Sequence, residues 1–253
     1  MTDFTFWVIV AFRNRAELLL RCLESIDAQC DPGFSVLIGD DASDESRASG
    51  VGLDWGSCLP VRERQRWRYV RRAERFGTLR NQVDLIRSVG MDPDDVIVFV
   101  DGDDRLAHPC ALSILREAYS DGTLLTYGSY DTDPPSDTCS PAEPYPPNIL
   151  RSRQFRRAGH RFNHLRTMRR CVFDAITDDD LMVDGRWPMA GGDYAMMMPA
   201  LELAAPRIKV IRSVLYTYTS DREDSDWRVN AAELNTVHRA IARKPRKAPL
   251  RVR

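Results

Sequence analysis

The residues best suited to chemistry in this 253-residue chain are carboxylates gathered in short turns. Asp40, Asp41 and Ser43 follow the apolar run Phe34 to Gly39, and Asp101, Gly102, Asp103 and Asp104 follow the run Val96 to Val100. Phe12, Arg13 and Asn14 follow a third run, Phe4 to Ala11. A single acidic turn is an ordinary helix cap, because Asp and Ser satisfy the free N–H groups of a first turn. Two such turns on one rim repel each other and raise each other's pKa, unless a divalent cation or a donor-rich ligand sits among them. Oxygen-only ligation, with no cysteine or histidine pattern nearby, points to Mg2+ or Mn2+, ions that commonly join carboxylates to phosphate oxygens.

The elements needed to bring these turns together are legible. Phe4 to Ala11 (FTFWVIVA) is of buried-strand type, and Arg15 to Ala28 spaces Leu18, Leu19, Cys22, Leu23 and Ile26 as a helix does. Phe34 to Gly39, Trp67 to Val70 and Val96 to Val100 predict three more strands, with helices at Thr78 to Val89 and from Pro109 to about Tyr119. Strands alternating with helices imply an α/β fold with a mostly parallel sheet covered on both faces, whose ligands sit beyond the strands' carboxyl ends. After a strand at Thr123 to Tyr127 the pattern breaks. Asp131 to Asn148 holds six prolines and predicts a long loop; Arg151 to Arg170 is arginine-rich, and Asp174 to Asp184 is acidic. A helix near Asp193 to Leu203 and strands near Ile208 to Ile211 and Val214 to Thr217 complete a smaller, mixed half, and no internal repeat is present.

Composition excludes several classes. Hydrophobic residues at 43% and charged residues at 29% fit a folded globular protein and not a collagen-like, disordered or coiled-coil one. Lys209, Lys244 and Lys247 are the only lysines among 36 basic residues, an arginine excess whose functional reading is kept for local clusters. Six cysteines without a CxxC pair indicate neither zinc nor a redox motif, and are expected to be reduced small hydrophobes. The Phe4 to Phe12 run is too short to span a bilayer and follows Asp3, so a cytoplasmic protein, or one peripheral to a membrane, is expected. The turn AFRNRAE lacks both GxGxxG and GxxxxGK, which argues against a Rossmann dehydrogenase or a P-loop enzyme. An aspartyl-nucleophile phosphatase fits poorly too, since Arg105 stands where Thr or Val would follow DxDx, and the motif lies on the fourth strand.

Four pieces, WVIVAFRNRAELLLRCLESIDAQ, FSVLIGDDASDE, RFGTLRNQ and VIVFVDGDDRLAHP, stand in the order and approximate spacing of the GT-A nucleotide-sugar glycosyltransferases. Over about the first 120 residues the chain resembles that group, especially its inverting family 2. The resemblance implies a Rossmann-like GT-A domain over residues 1–238, with a nucleotide-sugar-binding half (1–120) and an acceptor half (121–238) that contains the proline-rich loop 131–148. It implies that Asp41 hydrogen-bonds the base of a uridine-type nucleotide, with Phe12 and Asn14 beside it and Asp40 in support. It places Arg80 and Asn81 near the nucleotide and diphosphate, Asp101 and Gly102 at the ribose, and Asp103 and Asp104 on a Mn2+ or Mg2+ ion. GGDYAMMMPALEL is similar to the segment presenting the catalytic carboxylate, which nominates Asp193 as general base, with an N-cap role as the alternative. Asn163 and His164, in FNHLRTMRR, match the acceptor and diphosphate side, and Arg222 matches a segment that closes on the diphosphate.

The resemblance thus implies metal-dependent, inverting transfer of a hexosyl or N-acetylhexosaminyl group from a UDP-type sugar to an acceptor hydroxyl. The acceptor is open: a glycan or lipid-linked glycan, a nucleic acid with hydroxymethylated bases, or a protein. Eight arginines between Arg151 and Arg170, with no acid among them, suggest an anionic acceptor through Arg153, Arg156 and Arg157, or else a solvated face. Residues 239–253 form a basic stretch expected to be a solvated tail. A degenerate sugar-binding or scaffold module is the non-enzyme alternative, against which the retained acids argue.

Overall fold

The computed structural model describes residues 4–14, 16–44, 66–136, 141–220 and 229–251. Its centre is β1 (Phe6–Phe12), a strand apolar on both sides. Val8 and Val10 enter one core with α1 (Ala16–Asp27), while Ile9 enters the other. That is the consequence of a two-residue side-chain period in a strand buried on both faces. β2 (Phe34–Asp40) and β4 (Val96–Asp101) flank β1 in parallel, and β3 (Trp67–Arg71) adds beyond β2. The register aligns Phe12 with Asp40 and Ala11 with Asp101, so the polar turns open at one level of one edge.

Beyond β4 the sheet becomes mixed. β7 (Asn163–Arg169) runs antiparallel to β4 and to β6 (Leu125–Asp133); β8 (Ile208–Thr219) lies parallel to β6, and β5 (Arg105–Leu106) closes the eight-strand order β3-β2-β1-β4-β7-β6-β8-β5. The expected α/β fold is therefore found, with β3-β2-β1-β4 all parallel and the remaining strands mixed. The two short strands expected at 208–217 are one, whose register against β6 shifts between Gly128 and Tyr130.

One core lies under α1 and α3 (Ala111–Tyr119), the other under α2 (Thr78–Arg87), α8 (Gly192–Ala204) and α9 (Ala231–Arg243). α8 is buried from Tyr194 onward, as its run of Met, Ala and Leu requires. Four short helices, α4 (Pro147–Ser152), α5 (Phe155–Ala158), α6 (Arg170–Asp174) and α7 (Asp178–Leu181), lie between β6 and α8.

Several local expectations change. The proline-rich segment is strand to Asp133 and helix from Pro147, and between them Tyr145 is buried and Glu143 O accepts the Tyr127 hydroxyl at 2.9 Å. The acidic stretch holds a capped helix: Asp180 accepts from Thr177 N and Oγ1, both at 2.8 Å, and pairs with Lys247 Nζ at 2.7 Å. The stretch from 239 is no solvated tail within the described residues. It starts inside α9, whose Val237 and Ile241 are buried, and Leu250 N bonds Leu203 O at 2.9 Å. Among the described residues no helix is long and apolar enough to cross a membrane.

Candidate active site

A cleft of about 450 Å³ opens at the carboxyl ends of β1, β2 and β4 and is closed on its far side by the start of α8. It brings together Phe12, Asn14, Asp41, Asp101, Asp103, Asp104, His164 and Asp193 from the sequence expectations. Asp40, Arg80, Asn81, Gly102, Asn163, Arg153, Arg156 and Arg157 do not line it.

The residues outside the cleft have visible structural work. Asp40, fully buried, accepts Ser43 N and Tyr69 Oη, each at 2.8 Å, and so fixes the turn that carries Asp41. Asn81, also fully buried, donates to Gly39 O at 2.9 Å and accepts from Arg72 Nε at 3.1 Å, which makes it a strut between α2 and β2. Arg80 points outward and stacks on Phe76, its guanidinium 3.8 Å from the ring centroid. Gly102 is required by close approach: a Cβ there would lie 2.5 Å from Phe12 Cβ.

On the β1–β2 side of the cleft, Asn14 adopts a left-handed φ of 56°, which asparagine tolerates, and its amide exchanges hydrogen bonds of 2.9 and 2.7 Å with Asp44. The Asp41 carboxylate accepts from Phe76 N at 2.6 Å and Gly77 N at 2.9 Å, which ties the 72–77 loop to the rim. Each carboxylate oxygen keeps a further lone pair for a ligand N–H.

The acidic turn divides its labour. Both Asp103 and Asp104 line the cleft, but Asp104 is buried and accepts Tyr216 Oη at 2.8 Å and Thr219 N at 2.7 Å. Burial and the neighbouring Asp101 charge push Asp104 up to about 8 despite those bonds. A carboxyl so used anchors β8 at the edge of the cleft. Among the described residues no group of three or more His, Cys, Asp or Glu side chains could hold a metal ion unaided. The donor set suits an ion that takes one or two carboxylates and completes its shell with phosphate oxygens and water.

On the opposite wall, Asp193 sits in the first turn of α8, entered through Gly191 at φ 73°, and accepts its neighbour's Tyr194 N–H at 2.8 Å. Arg166 on β7 reaches Asp193 Oδ2 at 3.1 Å and Asp101 Oδ2 at 3.5 Å with its side chain 8% exposed, so it joins the two walls. Burial pushes Asp193 up, but Arg166, His160, the Tyr194 N–H and His238 outweigh it and hold the carboxyl below its ordinary range. His164 stacks on Tyr216 with centroids 4.3 Å apart, and burial, then Arg166 and His160, lower its pKa well below the usual value. It is therefore a neutral imidazole at pH 7.

Sequence reasoning missed Arg166 as a cleft residue, along with Arg75, Thr78, Gln82 and the Pro188–Ala190 wall, which Glu233 of α9 holds through Met189 N at 2.8 Å. Alternation along NHLRTMR could have separated Arg166, sharing a strand face with His164, from the rest of the arginine run. Five of the other seven are held by protein partners. Arg156 pairs with Glu202 at 2.7 Å, Arg153 donates to Lys247 O at 2.9 Å, and Arg169 donates to Thr123 O at 3.1 Å and Tyr119 O at 3.0 Å. Arg161 pairs with Glu143, and Arg170 pairs with Asp174 at 2.6 Å. Arg157 is exposed away from the cleft, and Arg222 lies outside the described residues.

The family model described as glycosyl transferase family 2 matches residues 7–177. Among solved structures, TarS 1–349 of S. aureus is similar at 15% identity and TM-score 0.62, with 94% of this chain and 64% of that one covered. The same protein with UDP-GlcNAc gives 15% identity and TM-score 0.62, over 94% and 65% of the two chains. The mannosyltransferase PcManGT of Pyrobaculum calidifontis, in complex with GDP-Man and Mn2+, is similar at 21% identity and TM-score 0.64, over 96% of this chain and 65% of that one. The chain thus spans slightly less than two thirds of the solved structures it resembles. No curated protein matches it.

Proposed function

Since the chain belongs to glycosyl transferase family 2, we propose that its cleft transfers a sugar, with inversion, from a nucleotide diphosphate sugar to an acceptor hydroxyl. The observation that carries this reading is the pairing of two walls: base-reading and phosphate-side acids at the ends of β1, β2 and β4, facing an ionised Asp193 at the start of α8. Asp41 offers an acceptor to a base ring N–H, which uracil and guanine both present. A UDP-sugar is the first donor to test and a GDP-sugar the second.

Asp103 would hold a Mn2+ or Mg2+ ion together with the donor's diphosphate, and such an ion supplies Lewis-acid neutralisation of the leaving group. Asp193 takes the acceptor's proton as its oxygen bonds to the anomeric carbon, and the bond from that carbon to the diphosphate oxygen breaks. One base suffices because the donor brings its own good leaving group. Arg166 keeps Asp193 ionised and aimed. The cleft's rim gives no support to an anionic acceptor, because Arg153 and Arg156 are paired internally and Arg157 is exposed outside the cleft.

Calorimetric titration with UDP- and GDP-sugars, with and without Mn2+, followed by a transfer assay, tests the proposal. Metal-dependent micromolar binding of one donor with turnover supports it. Binding without turnover on any acceptor class would favour a sugar-binding module, and absence of nucleotide binding would overturn both.

A further inference from the structure

Two of the cysteines expected to be reduced small hydrophobes stand at the surface rather than in a core. Cys30 and Cys110 are both exposed and both free, whereas Cys22 is buried and Cys171 half-buried. Cys30 lies just past the end of α1, and Cys110 caps the start of α3. They are held side by side by backbone geometry. Cys30 N donates to Pro109 O at 2.9 Å, which brings residue 30 against the residue next to Cys110. Only one peptide link separates that carbonyl from Cys110, so the pair stands close to the roughly 4.4–6.8 Å Cα separation that a disulfide spans.

Gln29 clamps the same junction, donating to His108 O at 3.0 Å and accepting from Leu112 N at 3.0 Å. Desolvation first, then the adjoining Cys110 sulfur, pushes the Cys30 thiol up. Cys110 stands at the N-terminal end of a nine-residue helix, the end that accommodates negative charge.

We propose that Cys30 and Cys110 form a reversible dithiol–disulfide couple that exchanges with low-molecular-weight disulfides. The Cys110 thiolate attacks the small disulfide, forms a mixed disulfide and releases one small thiol. Cys30 then loses its proton, attacks Cys110 Sγ and displaces the second small thiol. Two protein thiols become one disulfide and the small disulfide becomes two thiols, so electrons and protons balance. The bond would tie α1 to the segment that leads from the acidic turn into α3, closing a long loop, which stabilises chiefly by restricting the unfolded chain.

The test uses the full chain treated with oxidised glutathione, followed by alkylation, digestion and mass mapping. The expected product is a crosslink between the Cys30 and Cys110 peptides that dithiothreitol reverses, with Tm raised by about 5 °C. Cys30→Ser should stop at glutathione on Cys110, which traps the intermediate. Cys58→Ser with Cys139→Ser should leave the crosslink intact. Glutathione on both cysteines of the wild type without a crosslink, or a crosslink from either to another cysteine, would overturn the proposal, as would failure of Cys30→Ser to trap Cys110. None of these readouts depends on sugar transfer.

Discussion

Arg166 and Asp193 give the sharpest residue-scale expectations. Asp193→Asn should abolish transfer, by the 10²–10⁴-fold that proton transfer contributes to many enzymes, while donor affinity stays within a few-fold, as calorimetry would show. Arg166→Gln removes the nearest cation from Asp193 and leaves burial, which pushes the carboxyl up. The acid limb of the pH–rate profile should therefore move to higher pH, by about 1–3 units. Arg166→Lys should recover part of that shift, and an unmoved limb would detach Arg166 from the base. At the acidic turn, Asp103→Asn should lose metal-dependent nucleotide binding. Asp104→Asn should keep that binding and lose stability, because its carboxyl is committed to Tyr216 and Thr219.

At the scale of elements, the site exists because strand ends meet tightly. Gly102→Ala would push a methyl group into Phe12 at a spacing real side chains do not adopt. A cost of about 1–3 kcal/mol in thermal unfolding is expected, with donor affinity weakened because Phe12 and the acidic turn shift together. The arginine run makes the complementary point. Glu202 is 1% exposed and Arg156 7%, so Glu202→Ala strands a buried guanidinium. That should cost about 3–5 kcal/mol, whereas Arg157→Gln should change neither stability nor acceptor kinetics.

For the whole molecule, the last described residues close the second core. Lys247 joins Asp180 of α7 and, through its backbone N–H at 2.9 Å, Glu202 of α8, while Leu250 bonds Leu203. Deletion after Lys244 should lower Tm by several degrees and speed proteolysis of α9. Donor affinity should hold, because the wall proposed to bind the nucleotide is carried by β1, β2 and β4. A deletion variant as stable as the full chain would show that these contacts contribute nothing.

The sequence alone determined the first half of the fold and the wall it carries. Apolar runs such as VIVFV have one low-energy destination, a strand buried on both faces, and polar residues directly after them must fall on one edge. Asp41, Asp101 and Asp103 were legible for that reason, and Asp193 through its helix start. Tertiary structure alone decided how the polar atoms were shared. Asp104 and Asn81 look like ligand residues in one dimension, yet each is consumed by partners more than forty residues away or across the sheet, Tyr216 and Gly39 respectively. Arg166 and Arg156 sit in the same basic run, but strand alternation sends one to the cleft and α8 claims the other. The basic end reads as solvated because its charges are visible in sequence and their buried partners, Glu202 and Asp180, are not. Local pattern fixes which residues meet water or core, whereas the pairing of buried charges is set by contacts between distant segments, which no local pattern encodes.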